Sequence, residues 1–120
     1  MEITHRIEKD SSIVTIEGNI RSEDVVTCQD YLAPMLKDKT IRTLLISFRG
    51  MSYISSSALG LIVESYRKLE ERKAKLIICG KVELVRSTLI LVGLDNIIPN
   101  YPSEEEALSI ILIHLFDSIQ

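Results

Sequence analysis

Thr43-Leu44-Leu45-Ile46-Ser47-Phe48, then Arg49-Gly50-Met51-Ser52-Tyr53-Ile54, then Ser55-Ser56-Ser57-Ala58-Leu59-Gly60-Leu61, is the stretch on which the fold turns. Its first part is a short, nearly continuous apolar run, the mark of a strand buried on both faces. Arg49-Gly50 reads as a turn, and three serines stand where a helix begins. A helix N-terminus leaves N–H groups unpaired and carries about half a positive charge, so it suits an anion or a capping oxygen. Serine is among the best capping residues, and one of Ser55, Ser56 and Ser57 is expected to cap. A hydroxyl held at such a place is also a candidate phosphate acceptor. The pattern suits a switch better than a catalyst.

Working outward, Ile3–Ile7 and Ile13–Ile16 alternate loosely around Lys9-Asp10-Ser11-Ser12 and read as an antiparallel hairpin, ended by Gly18-Asn19. Ser22 is expected to cap a helix running to about Leu36, with Glu23 and Asp24 in its first turn and Pro34 kinking or shortening it. After the strand at 43–48, a helix from Ser57 to about Arg72 carries Leu59, Ile62, Val63, Tyr66 and Leu69 on one face. Glu64 with Lys68, and Arg67 with Glu71, are expected to pair on its wet side. Lys75–Gly80 reads as a second doubly buried strand, and Lys81–Val92 as a helix stopped by a left-handed Gly93. Asn96–Ile98 is expected to be a short strand and Pro99-Asn100-Tyr101-Pro102 a loop. Ser103 and Glu106 have capping-box spacing for a last helix. Strands alternating with helices imply βαβ units, hence an α/β fold with a mixed, mostly parallel sheet of about four to five strands and about four helices.

With 120 residues, 46% of them hydrophobic, the chain suits a single domain, 1–120, with one core spanning about 3–112. The net charge of −3, spread along the chain, gives no electrostatic footprint for nucleic acid. Cys28 and Cys79 lie in separate elements without metal-ligand spacing and read as reduced thiols, so neither a metal nor a cofactor is expected. The start, Met-Glu-Ile-Thr-His-Arg, lacks the apolar region of a signal peptide, and Ala107–Phe116 is too short to cross a bilayer. A cytoplasmic protein without direct membrane insertion is expected. The last helix is apolar almost all round, with Ala107, Leu108, Ile110, Ile111, Leu112, Ile113, Leu115 and Phe116. Packing on the sheet hides one face only, which predicts contact with a second protein or a homodimer through this helix.

A serine nucleophile needs a base. There is no Gly-x-Ser-x-Gly elbow, and the two histidines, His5 and His114, sit near the chain ends. No Gly-x-x-x-x-Gly-Lys loop for nucleotide is present either. A non-enzymatic role is expected.

The same stretch resembles the signature of STAS domains, the family of anti-sigma factor antagonists and their relatives. In that family a buried strand leads into Asp-Ser-Ser-Gly-Leu-Gly at a helix start. Here the matching residues are Ser55-Ser56-Ser57-Ala58-Leu59-Gly60, preceded by Met51, Tyr53 and Ile54. Gly18-Asn19-Ile20, Ile77-Ile78-Cys79-Gly80, Gly93-Leu94 and Glu105–Leu108 match in order and spacing. The resemblance implies an antagonist that binds an anti-sigma factor, itself a serine kinase, when unmodified and is released by phosphorylation. Ser56 aligns with the acceptor, with Ser55 and Ser57 as alternates, and a serine phosphatase is a further candidate partner. The implied partner surface comprises Gly18, Asn19, Ile20, Arg21, Met51, Ser55, Ser56, Ser57, Ala58, Leu59 and Lys81. Buried, Met51 and Leu59 would be core rather than anchors. Ser55 and Ala58 depart from the family's aspartate and glycine, and Arg21 and Asp24 from its aspartate and threonine. The alternative implied role is a structural STAS subunit of a lipid-transport, anion-transporter or stress-sensing assembly.

Overall fold

A computed structural model describes residues 1–80, 82–91, 93 and 97–119, with side chains described up to Ile113, Val82 excepted. Five strands form one sheet in the order β1 (Glu2–Glu8), β2 (Ser11–Glu17), β3 (Thr43–Arg49), β4 (Lys75–Gly80), β5 (Asn100–Tyr101). β1 pairs antiparallel with β2 through a turn in which Lys9 has φ 56°, and every later pairing is parallel. The helices are α1 (Val25–Lys37), α2 (Ser56–Glu71), α3 (Val82–Leu91) and α4 (Glu104–Ile119). The mixed sheet and four helices are the architecture the alternating pattern implies.

The two apolar faces of β2, β3 and β4 explain the layering. Val14, Ile16, Leu44, Ile46, Phe48, Leu76 and Ile78 face α1, α2 and α3 and form the larger core. Ile13, Leu45, Ile77 and Cys79 face the other way and are covered by Ala107, Leu108 and Ile111 of α4. A strand sandwiched between helical layers has no wet face, so its sequence shows no alternation. Arg72, just past α2, donates to the carbonyls of Met35, Leu36 and Ile41, pairing groups left open where α1 ends.

Several boundaries differ from the sequence expectation. Ser22 does not cap a helix: Ser22–Asp24 is a 3₁₀ turn, Arg21 holds the cap position, and the Asp24 carboxylate accepts the Arg21 N–H at 2.9 Å. The longer aspartate side chain reaches back across the turn where serine does not. Pro34 is accommodated within α1, three residues before its end at Lys37. The last strand is Asn100–Tyr101, not Asn96–Ile98, whose first residue lies outside the described set. Ile98 is a buried core plug, and the ladder to β4 starts at the Pro99 carbonyl, which accepts the Ile78 N–H at 3.0 Å. On the wet side of α2, Arg67 pairs with Glu64 at 3.8 Å rather than with Glu71. Gly93 does adopt the left-handed conformation, φ 75°; Val92 and Leu94 lie outside the described residues.

Glu104 pins the start of α4 to the sheet, accepting from Arg6 of β1 at 2.9 Å and Arg49 of β3 at 2.8 Å. Burial pushes its carboxyl up, but the two arginine hydrogen bonds outweigh this and hold it below its ordinary 4.5. A group depressed in the folded state stabilises above its unfolded value and loses that contribution as pH falls through the folded one. Glu104→Gln is therefore expected to cost about 1 kcal/mol at neutral pH, given the exposure of both arginines. Urea melts should show that difference closing as pH drops below the ordinary carboxylate range.

Candidate functional site

Two loops leave the C-terminal ends of the adjacent parallel strands β2 and β3 and are stitched together. The Gly18 N–H donates to the Arg49 carbonyl at 2.8 Å, which continues the ladder beyond the strands. The Asn19 side-chain oxygen then accepts from the Ser52 N–H (2.8 Å), the Ser52 hydroxyl (3.2 Å) and the Tyr53 N–H (3.0 Å). Ile20 donates to the Tyr53 carbonyl at 3.3 Å and accepts the Ser55 N–H at 2.9 Å, forming a parallel bridge with Ile54. Gly18 (φ 93°) and Gly50 (φ 58°) supply the left-handed turns that each loop needs on leaving its strand. No local signal marks Asn19 for this role, because its backbone partners lie 33 and 34 residues further along the chain.

The three serines take different parts. Ser55 is the cap of α2, in extended conformation (φ −75°, ψ 157°) and only 2% exposed. Its hydroxyl oxygen accepts the Ala58 N–H at 3.1 Å and lies 3.2 Å from the Ser57 hydroxyl. The helix therefore begins one residue earlier than its apolar spacing suggests. Ser56 and Ser57 are exposed, and the Ser56 hydroxyl makes no hydrogen bond among the described residues. No acidic side chain stands in the first turn of the 16-residue α2, so its positive end is not neutralised there. Ser55→Ala is expected to cost about 1 kcal/mol as a lost cap, and Ser56→Ala less than about 0.5 kcal/mol. Thermal melts of the two variants separate cap from free hydroxyl.

The residues suggested for a partner surface divide by burial. Ile20, Met51, Ala58 and Leu59 are core, like Ser55: the serine loop lies against the sheet and turns its apolar side chains inward. They set the shape of the surface without forming it. Gly18, Asn19, Arg21, Ser56 and Ser57 remain on the accessible rim, while Lys81 lies outside the described residues. Tyr53, 48% exposed, joins the rim, and the Arg21 guanidinium lies 6.0 Å from its ring centre. Nothing in a single tyrosine between Ser52 and Ile54 marks it beforehand. Beside Ser56, an open groove of about 440 Å³ runs between α2 and α3 over Gly60, Val63, Thr88 and Leu89, with Glu64 and Arg67 at its side.

His5 stands opposite Val14 midway along the edge strand β1, with its Nδ1 2.6 Å from the Tyr31 hydroxyl. The His114 side chain lies outside the described residues. Burial pushes both the Cys28 and Cys79 thiols up, so they stay protonated. Among the described residues no cluster of His, Cys, Asp and Glu could hold a metal ion, and no helix is long and apolar enough to cross a membrane. The arrangement is a stitched rim that presents, among the described residues, one unengaged hydroxyl at a helix start.

Comparison with known proteins agrees with this geometry. The STAS domain family model matches residues 1–107. The anti-sigma F factor antagonist of Paenibacillus polymyxa is 24% identical over 99 residues, covering 81% of this chain and 83% of that protein. The unphosphorylated anti-sigma factor antagonist SpoIIAA has the same fold, with a TM-score of 0.76 at 19% identity over 92% of this chain and 96% of that one. The phosphorylated form of SpoIIAA, a Bacillus cell fate determinant, matches with a TM-score of 0.75 at 18% identity over 92% and 99%.

Proposed function

The chain belongs to the STAS domain family, and from that premise we propose that it is an anti-sigma factor antagonist gated by phosphorylation of Ser56. Unmodified, it binds an anti-sigma factor that is also a serine kinase; phosphorylated, it lets go, and a serine phosphatase restores it. The observation that carries the reading is the division of labour among the serines. Ser55 is buried and committed to capping, whereas Ser56 is exposed, uncommitted and at the positive end of α2. A phosphate adds about −1.5 to −2 charges and three strong acceptor oxygens, which a helix start tolerates and a docked apolar surface does not.

Supporting the same reading, Ser56 belongs both to the rim and to the lining of the groove between α2 and α3, so a partner seated in that groove meets the hydroxyl. Phosphosite mapping by mass spectrometry on protein isolated from its own cells, growing and stressed, tests it. Ser56 modified at an occupancy that changes between the two conditions is the expected result. A Ser55–Ser57 stretch unmodified in both would overturn it.

One observation favours a second reading, that of a structural subunit or homodimer joined through α4. Leu112 is 62% exposed and Ile113 55% exposed, although Ala107, Leu108 and Ile111 of the same helix pack on the sheet. Co-purification with membrane proteins that ignores Ser56→Ala would mark the subunit, and a concentration-dependent sedimentation coefficient the homodimer.

A further inference from the structure

Arg21 is exposed and makes no side-chain ion pair among the described residues. Its guanidinium rests near the Tyr53 ring, a contact that is weak at an exposed site. Its backbone, in contrast, is fixed. The Arg21 N–H donates to the Asp24 carboxylate at 2.9 Å, and its carbonyl accepts the Asp24 N–H at 3.0 Å. The preceding residue, Ile20, is tied to Tyr53 and Ser55 by backbone bonds of 3.3 and 2.9 Å. Arg21 is therefore anchored one residue from a bond to Ser55, itself the neighbour of Ser56, and only its long side chain is left to move.

We infer that Arg21 is the internal counter-charge for a phosphate on Ser56. It leaves the Tyr53 ring to form a charge-assisted pair with the phosphate oxygens. The inference rests on the reading of Ser56 as the modified residue. Guanidinium suits this exchange because its planar donors match phosphate geometry and it is weakly hydrated. Modification then changes the rim twice over: it adds an anion at the start of α2, and it withdraws a cation from the surface that an acidic partner group would meet. The backbone stitching need not break.

Phosphoserine installed at position 56 during synthesis of the full chain tests this without any kinase. Its second ionisation, followed by phosphorus NMR against pH, is compared in wild type, Arg21→Gln, Arg21→Lys and Arg67→Gln. Arg67 lines the same groove as Ser56 and is the rival cation. A cation beside the phosphate favours the dianion, so the wild-type midpoint is expected about half a pH unit below that of Arg21→Gln. Arg21→Lys should keep much of the difference, Arg67→Gln should follow wild type, and high salt should shrink the gap. A midpoint unmoved by Arg21→Gln, or moved as far by Arg67→Gln, overturns the inference. The Arg21 side chain touches little else, so the unphosphorylated Arg21→Gln chain should melt with wild type. A Ser56 never modified in cells would remove the proposed function and leave this titration standing. A midpoint unmoved by Arg21→Gln would remove Arg21's role and leave the acceptor standing.

Discussion

Gly80→Ala is expected to cost about 3–5 kcal/mol, much of the roughly 5–15 kcal/mol by which a domain of this kind holds together. Gly80 ends β4 with φ 94°, where an L side chain is strained by about 1–2 kcal/mol before any contact is counted. A Cβ there would also stand 2.1 Å from the Phe48 carbonyl oxygen and 3.0 Å from its carbon, both backbone atoms of the paired strand. Backbone cannot rotate away as a side chain does, so β3 and β4 must separate at the end that launches the serine loop. Phe48 is 1% exposed in the main core, and that separation would loosen its packing. Gly60→Ala is the matched control, since nothing lies within 4 Å of its added Cβ on the exposed side of α2. It should stabilise by about 0.5–1 kcal/mol through helix propensity. Urea midpoints moving in opposite directions are the expected outcome; a Gly80→Ala midpoint equal to wild type would show that the strands yield freely.

Much of the fold is legible because the buried strands are short and their interruptions are strong. Leu44–Phe48 and Leu76–Cys79 admit no amphipathic helix, and Gly50 and Gly80 end them cleanly. The last strand is misread for a reason that recurs at sheet edges. Ile97 and Ile98 look like a strand, but Ile98 is a core plug, while Asn100 and Tyr101 pair through backbone that their side chains do not advertise. The start of α1 is misread because Ser22 has the chemistry of a cap but lies inside a 3₁₀ turn that precedes the helix, where Asp24 reaches back to the Arg21 N–H instead.

At the site, the triple serine is visible in the sequence, and its internal division is not. Which serine caps depends on how the loop meets the sheet, and that is set by Asn19 and Ile20, more than thirty residues earlier in the chain. The same distance hides the burial of Met51 and Leu59. Apolar residues in a loop and at a helix start read equally well as anchors or as core until the packing is known.

Under the proposed function, a phosphate on Ser56 is expected to weaken binding to the anti-sigma factor by about a thousandfold, equivalent to about 4 kcal/mol. The size follows from rigidity and burial together. Ser56 sits on a helix start whose loop is held by the three hydrogen bonds to Asn19 and the bridge between Ile20 and Ile54, so the group cannot fold out of the way. A partner docked over the adjoining groove would desolvate the phosphate without groups placed to receive it, and unmatched buried charge is among the costliest features an interface can hold. Internal pairing with Arg21 neutralises only part of the added charge and removes a cation from the contact. The measurement is a calorimetric titration of the cognate anti-sigma factor with the unmodified full chain and with the same chain phosphorylated at Ser56. The account predicts tight binding to the first and binding about a thousandfold weaker to the second; equal affinity for the two would contradict it.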